Sequence, residues 1–170
     1  VEISGRKVPV RLAFGANAHA VVDVRHLGIE VTSNQMQSLL EVGVAVRAAL
    51  SRLDMPKLRK LDSVLFCQSL APKRERLFLA IDRQRYDRSP GVAGVAARMA
   101  ILVEDGLLQP GETLEAESIF GGRLSGVCTP IAEATQDRPA YAPKVSGRAH
   151  LNGMSTLILE PDDPLRSGFL

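Results

Sequence analysis

The stretch DRSPGVAGVAARMAILVEDG, Asp87 to Gly106, sets the architecture of this chain. It reads as a loop that stops at Pro90 and turns into a helix, closed by Gly106 where a left-handed C-terminal cap favours glycine. Ala93, Ala96, Ala97 and Ala100 alternate with larger apolar residues until the helix is apolar nearly all round. Such a helix belongs in the centre of a domain. Its amino end presents unpaired backbone N–H groups and the positive pole of the helix dipole, with the acid Asp87 just upstream. These are the makings of a small anion site, yet Gly91, first after Pro90, can offer it an amide and no side-chain chemistry.

Working outward, SVLFCQSL (Ser63 to Leu70) and RLFLAID (Arg76 to Asp82) predict strands before that helix. Thr32-Ser33-Asn34 offers N-cap chemistry ahead of a first helix, in which Met36, Leu39, Leu40, Val46, Leu50 and Leu53 recur at helical spacing. Gly43 inside it weakens the helix or marks close packing. Further upstream, Val8 to Val24 reads as two strands around a Gly15-Ala16-Asn17 turn. Downstream, ETLEAESIF and GRLSGVCTPIAEA predict strands around Gly121-Gly122, and VSGRAHL and MSTLILEP predict a hairpin at Asn152-Gly153. The expected fold is α/β (α+β): a curved, mostly antiparallel sheet wrapped around one buried central helix.

The composition, 45% apolar and 24% charged over 170 residues, is that of a globular domain. A net charge of +2 gives no reason to expect nucleic acid. The basic runs Lys57–Lys60 and Lys73–Arg76 lack interleaved aromatics and read as solvated loops. Cys67 and Cys128 have neither disulfide nor metal-ligand spacing and sit in strand-like apolar surroundings, so both read as buried small hydrophobes in a reducing, cytoplasmic setting. No run approaches the roughly 18 apolar residues of a membrane span, no signal peptide is evident, and the chain opens at Val1 as if cut from something longer.

Four stretches in order, AFGANAHAVVD (Ala13 to Asp23), DRSPGVAGVAAR, ESIFGGRLSG (Glu117 to Gly126) and PKVSGRAHLNGMSTLILEPDDPLRSGFL (Pro143 to Leu170), resemble the proline racemase family. That family includes proline racemases, hydroxyproline epimerases and a trans-3-hydroxyproline dehydratase. The resemblance implies a diaminopimelate epimerase-like fold, in which two α/β modules face each other and substrate lies between two helix N-termini. This chain matches the C-terminal half only, so residues 1–160 would form one module and 161–170 a tail, with Leu165, Phe169 and Leu170 packing on the missing N-terminal half or a partner chain. The missing half would carry a Cys-Gly-His segment with one catalytic thiol.

The family's chemistry is cofactor-independent, with a thiol on each face of the substrate α-carbon. Its second thiol falls in DRSP-Cys-Gly-Thr-Gly. Carried over, Asp87 would bind the substrate amine, Gly91 stands where the cysteine should be, and Val92, Ala93 and Gly94 stand where amides hold the carboxylate. The dehydratase branch has threonine at the Gly91 position, which does not match either. His19 falls where the family tends to have an aromatic residue lining the cleft, so it could contact substrate or replace the lost base; the competing reading is a histidine bonded within the sheet. The competing reading of Asp87 is a cap on the following helix, and His26 and His150 read as surface or structural. The resulting expectation is one half of an isomerase or dehydratase acting on proline, hydroxyproline or a related cyclic amino acid, with the thiol supplied by a second polypeptide and with no nucleic acid, membrane or cofactor involved. The alternative is an inactive paralogue that binds an amino acid or supports an active partner.

Overall fold

A computed structural model describes residues 1–53, 61–131 and 140–167. A small antiparallel pair, β1 (Glu2–Ile3) and β2 (Arg6–Lys7), precedes a seven-stranded sheet in which sequence order is also spatial order: β3 (Arg11–Phe14), β4 (Ala18–Asp23), β5 (Leu61–Ala71), β6 (Arg74–Ala80), β7 (Thr113–Ser118), β8 (Arg123–Pro130) and β9 (Tyr141–Gly147). Neighbouring strands are antiparallel except β4–β5 and β6–β7, which are parallel and joined through α1 (Met36–Ser51) and α2 (Val92–Glu104). Both crossovers step the same way across the sheet, but β5 and β6 run antiparallel. The right-handed rule for such connections then requires the two helices to lie on opposite faces.

They do. Ala20, Val22, Val64, Phe66, Phe78 and Ala80 face α1 with Leu39, Leu40, Val46 and Leu50. Their strand neighbours Val21, Leu65, Cys67, Leu77 and Leu79 face α2 with Val95, Met99, Ile101 and Leu102. The period-2 alternation of strand side chains thus builds two cores from one set of strands, which is why β5 and β6 read as nearly continuous apolar runs. The sheet curls around α2, which is buried along most of its length as expected. Gly106 (φ 71°) ends it in a Schellman turn, Leu107 N–H donating to Leu102 C=O at 2.8 Å and Gly106 N–H to Val103 C=O at 3.0 Å.

Three expectations are corrected. Thr32 makes no side-chain cap; its carbonyl takes the Gln35 N–H as residues 33–35 form a short 3-10 turn leading into α1. Leu53 lies beyond the last turn of α1 and is exposed. The Asn152-Gly153 hairpin does not form: β9 ends at Gly147, and residues 148–160 run without strand pairing. A strand pays its backbone ordering cost only when a face is covered, and nothing in the rest of the described chain covers this one.

A fourth correction concerns the basic run Lys73–Arg76, which is not a solvated loop: only Lys73 lies in the β5–β6 turn, Arg74 to Arg76 open β6, and acids neutralise the run. Lys73 pairs with Glu112 (2.5 Å), while Arg74 and Arg76 share Glu117 (2.9 and 2.5 Å). Lys57–Lys60 lies outside the described residues. Both cysteines are buried; Cys67 donates to Val22 C=O at 3.4 Å, and burial pushes its thiol up to about 12, so it is an inert core group. No helix among the described residues is long and apolar enough to cross a membrane.

Candidate functional site at the amino end of α2

The loop Asp87–Gly91 is built by local polar geometry. Asp87 N–H donates to Leu79 C=O (3.0 Å), tying the loop to β6. The Asp87 carboxylate, through Oδ1, accepts from both the backbone N–H and the hydroxyl of Ser89 (2.9 Å each). The Ser89 oxygen in turn accepts the Gly91 N–H (3.1 Å). Asp87 therefore caps its own turn rather than α2, and its other oxygen, Oδ2, stands 3.4 Å from where a Gly91 Cβ would be. Ser89, the relay in this chain of bonds, is a member of the site that the reading of the sequence passed over; an Asp-x-Ser spacing is the signal that could have found it.

Gly91 is the N-cap of α2 with φ 77° and ψ 116°. Its carbonyl accepts the Val95 N–H at 2.8 Å. No side chain among the described residues caps the helix. The first-turn amides of Val92, Ala93 and Gly94 consequently have no acceptor within the helix and carry the positive end of its dipole. The Val92 side chain is exposed, that of Ala93 half-buried, and Gly94 is pressed against Leu79 and Leu65.

Two other quoted stretches converge on the same place. A Cβ on Gly15 would run into the Ala93 carbonyl oxygen and come within 2.7 Å of the Ala97 nitrogen, so the β3–β4 turn rests directly on the first turns of α2. Gly122, in the β7–β8 turn, lies against Arg88 and Ser89, and its N–H donates to Ser118 Oγ (3.1 Å). Beside this turn Phe120 stacks on Tyr86 with ring centroids 5.8 Å apart, a half-exposed aromatic wall that the sequence reading also missed. Thus AFGANAH, DRSPG and ESIFGG meet around one helix start.

His19 faces α2 from β4, one row of side chains ahead of that start. Gly91 and Gly94 sit over the Leu65–Leu79 row, Arg98 reaches onward to Glu75, and His19 with Ser63 occupies the preceding row. A register shift between Ala18 and His19 brings it opposite Ser63. His19 Nδ1 and Ser63 Oγ are 2.7 Å apart, Nε2 has no partner among the described residues, and the residue is only 1% exposed. Burial holds its pKa below the usual histidine value, opposed in part by the Asp62 carboxylate. The imidazole is a neutral group bonded within the sheet. His26 and His150 are exposed.

Because the unfolded chain binds a proton more readily than buried His19, stability conferred by the neutral ring is complete above the unfolded histidine pKa and is lost as pH falls below it. Urea unfolding at pH 7.5 and 5.5 should show this drop in the native protein and a smaller one in His19→Gln. Equal slopes would mean that His19 titrates freely in the fold.

A sequence profile of the proline racemase family matches residues 1–170. The chain is 33% identical to a 4-hydroxyproline 2-epimerase of Streptosporangium roseum and 29% identical to proline racemase A of Trypanosoma cruzi, in each case over 96% of its length and over 51% and 43% of theirs. Among solved structures it superposes with a TM-score of 0.75 and 26% identity on a probable proline racemase from Agrobacterium radiobacter holding carbonate, covering 95% of this chain and 49% of that one. The same score and identity relate it to a hydroxyproline epimerase from Agrobacterium vitis with bound trans-4-hydroxy-L-proline, covering 96% and 48%. The chain spans about half the length of the curated relatives it matches. Fold, site stretches and sequence agree: this chain belongs to the proline racemase family.

Proposed function

We propose that this chain supplies the carboxylate-binding wall of a cofactor-independent site for proline, hydroxyproline or a related cyclic amino acid, and that a Cys-Gly-His segment on another half supplies the acid–base thiol. One observation carries the reading: α2 begins with three uncapped amides beside an anchored carboxylate, Asp87, and with a glycine at its cap. The amides of Val92, Ala93 and Gly94 suit a substrate carboxylate and Asp87 Oδ2 suits its ammonium, while Gly91 leaves the α-carbon without a base on this side. Cys67, Cys128 and His19 are all buried and cannot take that place.

Inversion at carbon needs one base on each face. With a thiol on one face only, the assembled site abstracts the α-proton and returns it from the same side, or expels a β-hydroxyl, more readily than it racemises. Residues 1–160 form the working module in this reading, and the tail 161–170, with Leu165 exposed, packs on the other half or a partner chain; Phe169 and Leu170 lie outside the described residues. Two buried, unbridged cysteines suit a reducing cytoplasm. The competing reading, a binding or supporting paralogue, is favoured by the same Gly91 if no thiol-bearing half accompanies the chain.

Calorimetric titration of the chain with L-proline, trans-4-hydroxy-L-proline and prolinamide tests the wall itself. Saturable binding of the acids is expected, weaker by about tenfold or more for the amide, which lacks the charged acceptor, and abolished by Asp87→Ala. Equal binding of acid and amide would sink the assignment. In D2O, an assembled protein with one thiol should exchange the proline α-proton without accumulating D-proline.

A further inference from the structure

Pairing between β5 and β6 stops at Val64 and Ala80. Beyond that point the two strands part. Ala18 and His19 are successive residues of β4, yet they stand opposite Leu61 and Ser63, so Asp62 is an extra residue, a bulge in β5. On the other strand, the chain past Ala80 folds back on itself. Ile81 and Asp82 N–H both donate to Arg85 C=O (2.9 and 3.2 Å), Ala80 bridges Tyr86, and Asp87 N–H reaches Leu79 C=O (3.0 Å). The Asp82 carboxylate closes this small hairpin by accepting the Gln84 and Arg85 N–H groups (2.9 and 2.8 Å). The hairpin therefore carries Asp87, and the bulge carries Ser63 with its partner His19.

Strands that leave their ladder expose carbonyls which need another donor. Arg47 on α1 supplies it. Its Nη1 donates to Leu61 C=O (2.8 Å), and its Nη2 donates to both Asp62 C=O and Ile81 C=O, the latter at 2.8 Å. One guanidinium thus spans the two parted strands. A rigid, planar fork of donors suits three fixed carbonyls; a lysine ammonium is a compact point donor on a flexible stem and does not match them.

We infer that Arg47 is a positioning residue of the α2 site: it fixes the bulge and the hairpin on which Ser63, His19 and Asp87 are mounted. α1 and α2 lie on opposite faces of the sheet, so Arg47 acts through these carbonyls and not by touching a ligand at the start of α2. The path is continuous. It runs from Arg47 to Ile81 C=O, through the hairpin to Asp87, and on through Ser89 to the Gly91 N–H. Every group on it belongs to this chain, so the role is independent of what covers the module's surface. Its consequence for a ligand rests on the reading of Asp87 given above; its consequence for the loop does not.

Hydrogen exchange of the full chain, read by mass spectrometry, compares the parent with Arg47→Met, which keeps the apolar stem, and with Arg47→Lys, which keeps the charge but not the fork. Exchange in peptides spanning 61–64 and 81–91 should rise by about tenfold or more in Arg47→Met. It should rise less in Arg47→Lys, while residues 39–50 of α1 keep parent rates. L-proline binding should weaken by about tenfold in Arg47→Met and recover in part in Arg47→Lys. If Arg47→Met does not fold, the lysine variant decides on the same two readouts. Unchanged exchange at 81–91, or a rise shared evenly by α1, overturns the inference, because Arg47 is then an ordinary helix anchor. Local loosening with parent-like proline affinity overturns it as well. If the parent itself binds no proline, the ligand reading falls, and the exchange pattern alone upholds or overturns the hold of Arg47 on the loop.

Discussion

Glu75→Leu is expected to remove about 3–5 kcal/mol of stability, close to unfolding an ordinary domain, whereas Glu75→Leu combined with Arg98→Met should restore most of the loss. Glu75 on β6 and Arg98 on α2 form a bidentate pair with both contacts at 2.6 Å, and their side chains are 5% and 10% exposed. Burial alone disfavours the Arg98 charge, and the Glu75 hydrogen bonds more than offset it, so the guanidinium stays protonated. Deleting one partner leaves the other charge desolvated and unpaired beside the buried thiol of Cys67. Deleting both with apolar residues of similar length leaves packing and no orphan charge. Urea unfolding of the two single variants and the double gives the coupling directly. Additive losses would show that water reaches the pair and that it contributes no more than a surface ion pair. The pair also matters for the site: it is the polar tie between α2 and the sheet two turns beyond Gly91, so it helps fix where the helix start points.

The same two residues show what was and was not legible beforehand. The central helix could be read because its signals are local: proline before it, glycine after it, small residues along it. Alternation in SVLFCQSL and RLFLAID gave the strands. Glu75 stands inside a basic run and Arg98 inside an otherwise apolar helix, and nothing local joins them, because a pair 23 residues apart exists only once the crossover is folded. The hairpin at Asn152-Gly153 had the best short-range turn signal in the chain and still failed, since turn chemistry sets a register but does not supply the surface that buries a strand. The resemblance picked out the stretches that hold Gly15, Ser89 and Gly122, but their convergence on one helix start depends on the folded sheet and was not legible. The backbone conformation of Gly91 was not legible at all: the resemblance implies that a side chain is missing there, not that the chain has taken a shape that excludes one.

That shape decides the outcome of the most direct experiment at the site, Gly91→Cys. Placing a thiol where the resemblance puts the family's cysteine would, on sequence alone, be expected to supply a base. With φ at 77° the residue occupies backbone space that side chains rarely enter, and its Cβ would stand 3.0 Å from Leu79 Cδ1. The expected result is a loss of about 1–3 kcal/mol in unfolding free energy, shared by Gly91→Ala because the cost lies in the backbone and not in the sulfur. Gly91→Cys with Leu79→Ala should not recover it, since removing the contact leaves φ unchanged and opens a cavity of its own. If the variant does fold, its thiol stands at an uncapped helix start facing Asp87. The dipole lowers its pKa from about 8.5 and the carboxylate raises it, so the rate of alkylation against pH reports which neighbour prevails. A Gly91→Cys protein as stable as the parent would mean that the loop relaxes freely to a conformation fit for cysteine; the absence of the thiol would then be the whole of the difference from an active relative, and D-proline formation in an assembled protein should return with it. A destabilised variant with no gain in inversion means that loop geometry and side chain have diverged together, and that a working second face would require remaking Asp87–Gly91 as a unit.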